Sequence, residues 1–188
     1  MHEANHQRSV LVPIADGSEE IEAVCIIDVL RRAGAQVTVA SVGERQITAS
    51  RGVRIVADCA IEACRDRDFD LIVLPGGMPG AEHLRDSPTL LGMLRRQQSA
   101  GRLYGAICAA PAVVLSHHGL LQGKRATAHP AFADQLHDGR PVAQRVVVDG
   151  RCVTSQGPGT AIEFALRLVA LLYDEAKAAE VAAPMCVA

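Results

Sequence analysis

The 188-residue chain contains no tryptophan, and aromatic residues make up only 3% of it. So few rings leave little with which to stack nucleic-acid bases or to cage a quaternary ammonium ligand. An excess of positive charge is also missing, because 19 Lys and Arg residues stand against 21 Asp and Glu residues. Without a polybasic cluster, neither a nucleic acid nor an anionic membrane surface is expected as a partner.

Long apolar runs are absent as well. No stretch approaches the roughly 20 apolar residues that cross a bilayer, and the N-terminal MHEANHQRS lacks the apolar core of a secretory signal. We therefore predict a disordered tail at residues 1–8 and a single cytoplasmic domain at residues 9–188. The six cysteines fit no disulfide framework or zinc motif, so no metal is expected, and packing is the default role of four of them: Cys25, Cys59, Cys64 and Cys152.

Apolar, strand-forming runs alternate with helical patterns along the rest of the chain. Strands are predicted at residues 9–15, 36–42, 69–74, 102–107 and 125–129, helices at 19–32, 80–100, 109–115 and 160–173, and hairpins at 46–57 and 145–154. Asp16 is expected to cap the first helix, with Glu19 completing a capping box. Such alternation predicts an α/β fold, a flavodoxin-like doubly wound sandwich with a mostly parallel sheet and helices on both faces.

In folds of this class, ligands bind at the carboxyl ends of the parallel strands. The first predicted strand is followed by an acidic turn and then Glu22, and a later strand by the pair Gly76 and Gly77. The stretch GAICAAP places Cys108 at a strand-to-helix joint, and His129 ends another short strand. An acid, a glycine turn, a thiol and an imidazole are thus predicted to meet on one rim.

That rim has the parts of a nucleophilic site. The start of a helix favours a thiolate, so the pKa of Cys108 is expected to fall below the usual value of about 8.5. The backbone N–H groups of Ala109 and of the glycine turn at Gly77 are expected to form an oxyanion hole. Glu22 is the candidate acid–base partner, protonated beside the sulfur, and His129 the candidate proton shuttle.

Each of these residues also has a structural interpretation. Cys108 is a small apolar residue suited to a tight corner, Glu22 is one of several acids at a helix start, and His129 precedes a proline in a turn. The glycine pair at 76–77 is itself more often only a turn. The convergence of all four features on one rim is what favours the catalytic interpretation.

The motifs together resemble the ThiJ/PfpI superfamily, in the branch of bacterial YajL and the Parkinsonism-associated protein deglycase. The resemblance extends from Val10 to about Val181 and rests on DGSEEIEAV, SRGV, DLIVLPGGMPGAEHL, GAICAAP, AHP and TSQGPGTAIEFAL. It implies a nucleophile-elbow cysteine at Cys108, a protonated partner at Glu22, a histidine at His129, and backbone donors at Gly77 and Ala109.

The resemblance also implies a homodimer, with Arg51 and the residues around Arg32 near the contact between subunits. The implied activity is cofactor-free: Cys108 attacks methylglyoxal, glyoxal or their protein adducts, which protects against carbonyl and oxidative stress. The alternative is a non-enzymatic redox sensor or redox-responsive chaperone that uses oxidation of Cys108. A hydrolase of the glutamine-amidotransferase type is disfavoured, because the chain lacks the G-x-C-x-G elbow and the downstream His-x-Glu pair of that type.

Overall fold

The computed structural model describes residues 7–187. Of the predicted N-terminal tail, residues 1–6 lie outside this range. Arg8 is described, and its carbonyl accepts a hydrogen bond from the N–H of Gln36 at 2.8 Å. No helix among the described residues is long and apolar enough to cross a membrane.

Eleven strands and five α-helices make up the regular structure of residues 7–187. The strands are β1 (Ser9–Ile14), β2 (Gln36–Ser41), β3 (Gln46–Thr48), β4 (Arg54–Val56), β5 (Cys59–Ala60), β6 (Leu71–Leu74), β7 (Leu103–Ile107), β8 (Arg125–Ala126), β9 (Arg140–Pro141), β10 (Val146–Asp149) and β11 (Cys152–Ser155). The α-helices are α1 (Glu20–Arg32), α2 (Gly80–Arg85), α3 (Pro88–Ser99), α4 (Ala161–Leu172) and α5 (Glu175–Ala182). Shorter helical segments are the 3₁₀ turns Ile61–Cys64, Pro130–Gln135, Pro158–Thr160 and Ala183–Met185, and the π-helical Pro111–Ser116.

The main sheet has seven strands in the order β10-β11-β7-β6-β1-β2-β5. All neighbours are parallel except β10 and β11, which form an antiparallel hairpin. Strands β6, β7 and β11 are buried at every position, as expected of a sheet covered on both faces. The order β2-β1-β6-β7-β11 is that of a flavodoxin-like fold, and the predicted fold class is confirmed.

The predicted cap of the first helix was wrong. Glu19, not Asp16, caps α1, because its carboxylate accepts the N–H of Glu22 at 2.8 Å. Asp16 instead accepts the N–H of Thr48 at 2.7 Å and so ties the first turn to the β3–β4 hairpin. The helical patterns predicted at residues 80–100 form two helices, α2 and α3, and Ser87 caps the second of them.

Strand order determines where the site lies. The chain reverses direction across the sheet between β1 and β6, and this switch point is where doubly wound folds bind ligands. The loops after β1, β6 and β7 leave the sheet at the same edge because these three strands are parallel neighbours. The acidic turn, the glycine turn and Cys108 are therefore brought together, as the sequence predicted.

Candidate active site

Cys108 occupies a sharp turn at the end of β7. Its φ of 65° lies in the left-handed region, which residues with a Cβ seldom adopt. Two neighbours hold the turn: the N–H of Cys108 donates to the carbonyl of Ser155 at 3.0 Å, and its carbonyl accepts from His129 at 2.8 Å. Strain at a residue fixed in this way is typical of a functional position.

The glycine turn after β6 is shaped by its contact with this elbow. A Cβ on Gly76 would lie 2.6 Å from the Cβ of Cys108, so only glycine fits there. Gly77 has φ 85° and packs equally closely on the loop after β1, where a Cβ would lie 2.4 Å from the backbone nitrogen of Glu19. The N–H groups of Gly77 and Ala109 both reach the sulfur of Cys108, where they favour its thiolate form.

Glu22 projects from the first turn of α1 into the same space and is fully buried. Its Oε2 accepts the N–H of Gly76 at 2.7 Å. Its Oε1 is also buried and makes no hydrogen bond of standard geometry with any residue in 7–187, although the thiol of Cys108 is close enough to affect the carboxyl. Burial is the main reason that the pKa of Glu22 rises to about 7, against the opposing effects of the Gly76 N–H and Cys108.

The predicted direction of the Cys108 pKa is wrong. Burial, followed by the negative charge of Glu22, raises the pKa of the thiol to about 12, and the N–H groups of Gly77 and Ala109 only partly offset these effects. The side chain is 8% exposed, so the loss of hydration outweighs the helix start that the sequence argument relied on. Moreover, the segment after Cys108 is a six-residue π-helix, not a regular α-helix.

His129 lies beside the elbow and is held by its own turn. Its Nδ1 accepts the N–H of Ala131 at 3.2 Å, which leaves the proton of the neutral ring on Nε2. The ring lies against Gly157, with Cδ2 3.4 Å from where a Cβ at that position would be. The structure thus brings His129 to the rim through the backbone contact with Cys108, and its predicted role as a proton shuttle remains a prediction.

The two arginines predicted near a subunit contact are both exposed at the surface. Arg32 pairs with Asp28 at 2.6 Å on the exposed side of α1. Arg51 is exposed, and its backbone N–H donates to the carboxylate of Glu20 at 2.8 Å, which holds the β3–β4 hairpin against α1. This structural role of Glu20 was not predicted, because nothing in a run of acidic residues distinguishes the one that will be buried.

Together these features define an α/β protein with a buried cysteine thiol at a strand-to-helix elbow, a buried carboxyl beside it and two backbone donors. The DJ-1/PfpI family model matches residues 8–171. The chain therefore belongs to the DJ-1/PfpI family, which confirms the resemblance stated from the sequence. Within residues 7–187, no group of three or more His, Cys, Asp or Glu side chains is placed to hold a metal ion.

Individual relatives support the same conclusion. Protein DJ-1 homolog B of Arabidopsis thaliana is 52% identical over 169 residues, which are 89% of this chain but only 39% of that relative. Glutathione-independent glyoxalase DJR-1.2 of Caenorhabditis elegans is 39% identical over 181 residues, 95% of each protein. The oxidised form of Toxoplasma gondii DJ-1 has a TM-score of 0.94 at 52% identity, over 96% of this chain and 99% of that chain.

Proposed function

We propose that this protein is a cofactor-independent glyoxalase or protein deglycase in which Cys108 attacks the aldehyde carbon of methylglyoxal, glyoxal or their protein adducts. The observation that carries the proposal is the placement of one buried thiol between the Glu22 carboxyl and the N–H groups of Gly77 and Ala109. A relative that is similar over 95% of its length is named a glutathione-independent glyoxalase, which supports this substrate class.

The chemistry follows from these groups. The proton of Cys108 passes to Glu22, and the thiolate then adds to the aldehyde carbon. The developing oxyanion accepts hydrogen bonds from the N–H groups of Gly77 and Ala109. A proton then leaves the former aldehyde carbon and another reaches the neighbouring carbonyl carbon through an enediol, with Glu22 and His129 as carriers. Water releases the acid, lactate from methylglyoxal or glycolate from glyoxal, and restores the thiol, so no external oxidant is required.

The small exposure of the thiol favours a small substrate. Only 8% of Cys108 is accessible, and the surrounding residues Gly76, Ala109 and Ala110 are small or lack side chains. A two- or three-carbon dicarbonyl reaches such a sulfur more easily than a folded glycated protein does. Free dicarbonyl is therefore the first substrate to test.

The test is lactate formation from methylglyoxal by the purified protein without added thiol or metal. The parent is expected to turn over, and Cys108→Ser is expected to lose activity. Cys152→Ser is a matched control, because Cys152 is also a buried thiol but lies at the start of β11, at the opposite end of that strand from Ser155. Absence of turnover in a folded, reduced parent contradicts the proposal, as does full activity in Cys108→Ser.

A second candidate function is a redox sensor or redox-responsive chaperone, favoured by one specific feature. The Oε1 atom of Glu22 is buried without a hydrogen bond of standard geometry, so its protonated form can donate to an oxygen atom on an oxidised Cys108. The sensor needs Cys108 and Glu22 only, whereas the enzyme also needs proton transfer by His129. If His129→Ala loses turnover but its Cys108 still oxidises, the two functions are separated.

We also propose that the protein acts as a homodimer through one face of α1 and the β3–β4 hairpin. Four large apolar side chains are exposed there: Ile21 at 53%, Val24 at 49%, Val53 at 50% and Val56 at 62%. Val24 and Val56 line the same shallow depression of about 330 Å³. An apolar patch next to the predicted contact residues Arg32 and Arg51 is what an interface between two copies requires.

A further inference from the structure

Two cysteines at the far edge of the sheet form a close pair. Cys59 lies in the edge strand β5, opposite Ala40 of β2, and Cys64 ends the 3₁₀ turn that follows. The turn folds the chain back so that the two sulfur atoms are 3.6 Å apart. No other two sulfur atoms within residues 7–187 make such a contact. Packing alone was predicted for both residues, and it does not require this approach.

The two thiols differ in accessibility. Cys59 is partly exposed, whereas Cys64 is fully buried. Burial and the neighbouring Cys59 raise the pKa of Cys64 to about 11, so its proton stays on sulfur until a reaction partner is next to it. The Arg67 guanidinium lies 3.9 Å from the Cys64 sulfur and stacks on the Phe69 ring, 4.8 Å from its centroid. This fixed cation stabilises negative charge on Cys64 when it forms.

The local fold permits the sulfurs to bond. A disulfide needs them about 2 Å apart, so the present contact must shorten by rotation of the side chains and a small backbone shift. Strand β5 has only two residues and a single neighbour, β2, so it resists such a shift less than an interior strand does. The strands β2, β1 and β6 separate this edge from β7, which carries Cys108.

We propose that Cys59 and Cys64 form a second redox site, independent of Cys108, in which a low-molecular-weight disulfide such as oxidised glutathione converts the dithiol to an intramolecular disulfide. The accessible Cys59 gives up its proton and attacks one sulfur of glutathione disulfide, so that a mixed disulfide forms and one glutathione leaves. The Cys64 sulfur then attacks Cys59, its proton goes to solvent, and the second glutathione leaves as the thiolate and takes up a proton. The protein loses two hydrogens, and one glutathione disulfide becomes two glutathiones.

The experiment uses the unaltered chain in glutathione buffers of increasing oxidising strength, followed by an acid quench and alkylation. Trypsin releases both cysteines in one peptide, residues 55–65, because Arg54 and Arg65 flank it. The expected product is this peptide unalkylated and lighter by two hydrogens. The exposed Cys186 is the internal control, because its mixed disulfide with glutathione verifies that the oxidant is active.

Competition with reduced glutathione gives the decisive result. Ring closure makes the second step intramolecular, so the pair is expected to stay oxidised at a glutathione ratio that returns Cys186 to the thiol. Cys64→Ala is expected to leave Cys59 as a glutathione adduct, and Cys59→Ala to leave the buried Cys64 unmodified, with circular dichroism confirming that both variants fold. The proposal is overturned if peptide 55–65 keeps two free thiols, or carries glutathione, while Cys186 in the same sample is modified.

Oxidation of Cys108 in parallel does not affect the result, because Cys108 is in a different tryptic peptide. Repeating the titration with Cys108→Ser measures independence directly. An unchanged midpoint for the pair is expected, and loss of the disulfide in this variant would show that Cys108 passes its oxidation to the pair, contrary to the proposal. The inference does not depend on glyoxalase activity, because no step in the assay uses a carbonyl substrate.

Discussion

Replacing Glu22 with Gln tests whether burial of this carboxyl makes the stability of the protein depend on pH. The amide keeps the shape and an oxygen that can accept the Gly76 N–H, now 2.7 Å from Oε2, but it does not titrate. In the folded protein the pKa of Glu22 is raised from 4.5 to about 7, mainly by burial. At a pH between these two pKa values, Glu22 therefore keeps its proton in the folded state but has released it in the unfolded chain.

The sign follows from this difference in bound protons. The free energy of unfolding that the raised pKa of Glu22 contributes is fully present below about pH 4.5. It declines as the pH rises from about 4.5 to about 7 and is lost above about pH 7. At roughly 1.4 kcal/mol per pKa unit, the decline amounts to about 3 kcal/mol. Because Cys108 has a pKa of about 12, it does not titrate in the same window.

The assay is urea unfolding of the parent and of Glu22→Gln at several pH values across that window. The difference in unfolding free energy between them is expected to move by about 3 kcal/mol in favour of the variant as pH rises, while other titrations cancel. Glu44→Gln, at an exposed turn between β2 and β3, controls for loss of a carboxylate and is expected to give a flat difference. A difference for Glu22→Gln that does not change with pH would refute the argument from burial.

Three further predictions rest on packing. Gly76→Ala places a methyl group 2.6 Å from the Cβ of Cys108 and is expected to lower the unfolding free energy by about 1–3 kcal/mol in denaturant unfolding. The control is Gly92→Ala, in open space on α3, which should be neutral or stabilising. If the two variants are equally stable, the predicted clash at Gly76 is contradicted. Val24→Glu is expected to convert the proposed dimer to a monomer in analytical ultracentrifugation. The control Ile162→Glu, at 38% exposure on α4, should leave the dimer intact. A Val24→Glu protein that is still dimeric argues against the α1 face as the interface. Gln97→Leu removes the side-chain amide that donates to two buried backbone carbonyls. The unfolding free energy should fall by about 2 kcal/mol or more. A smaller loss would mean that water replaces the amide.

Strand and helix types were predictable because hydrophobic periodicity reflects burial directly. The buried run at residues 71–74 and the periodic pattern of α4 are strong local signals, and both elements lie where they were expected. The cap of α1 was not predictable, since Asp16 and Glu19 both have suitable side chains. Which of the two caps the helix depends on Thr48 in the β3–β4 hairpin, which is distant in sequence. Its N–H donates to the Asp16 carboxylate, so Asp16 does not cap α1.

The grouping of the candidate site residues was predictable from the sequence, but their electrostatics were not. Parallel strand order alone brings Glu22, Gly77 and Cys108 to one edge, which is why a topological rule could assemble them. The pKa of Cys108 depends instead on how much water the thiol loses and on where the Glu22 charge lies. Those quantities arise from tertiary packing, so the local argument from a helix start gave the wrong direction.

The raised pKa of Cys108 is compatible with the proposed nucleophilic role, because above about pH 7, where Glu22 is ionised, the site holds one proton between two acids. Burial raises the pKa of both Glu22 and Cys108 by opposing a negative charge on either group, and the charge of Glu22 raises the pKa of Cys108 further. Moving the single proton from sulfur to the Oε1 of Glu22 leaves the net charge of the buried site unchanged, so burial does not oppose this transfer. The thiolate then accepts hydrogen bonds from the N–H groups of Gly77 and Ala109. The carboxyl Oε1 becomes a hydrogen-bond donor, whereas before the transfer it lacked a hydrogen bond of standard geometry. In the proposed mechanism the reactive form is thus reached by an internal proton transfer, which requires that Glu22 be ionised before the proton leaves the sulfur.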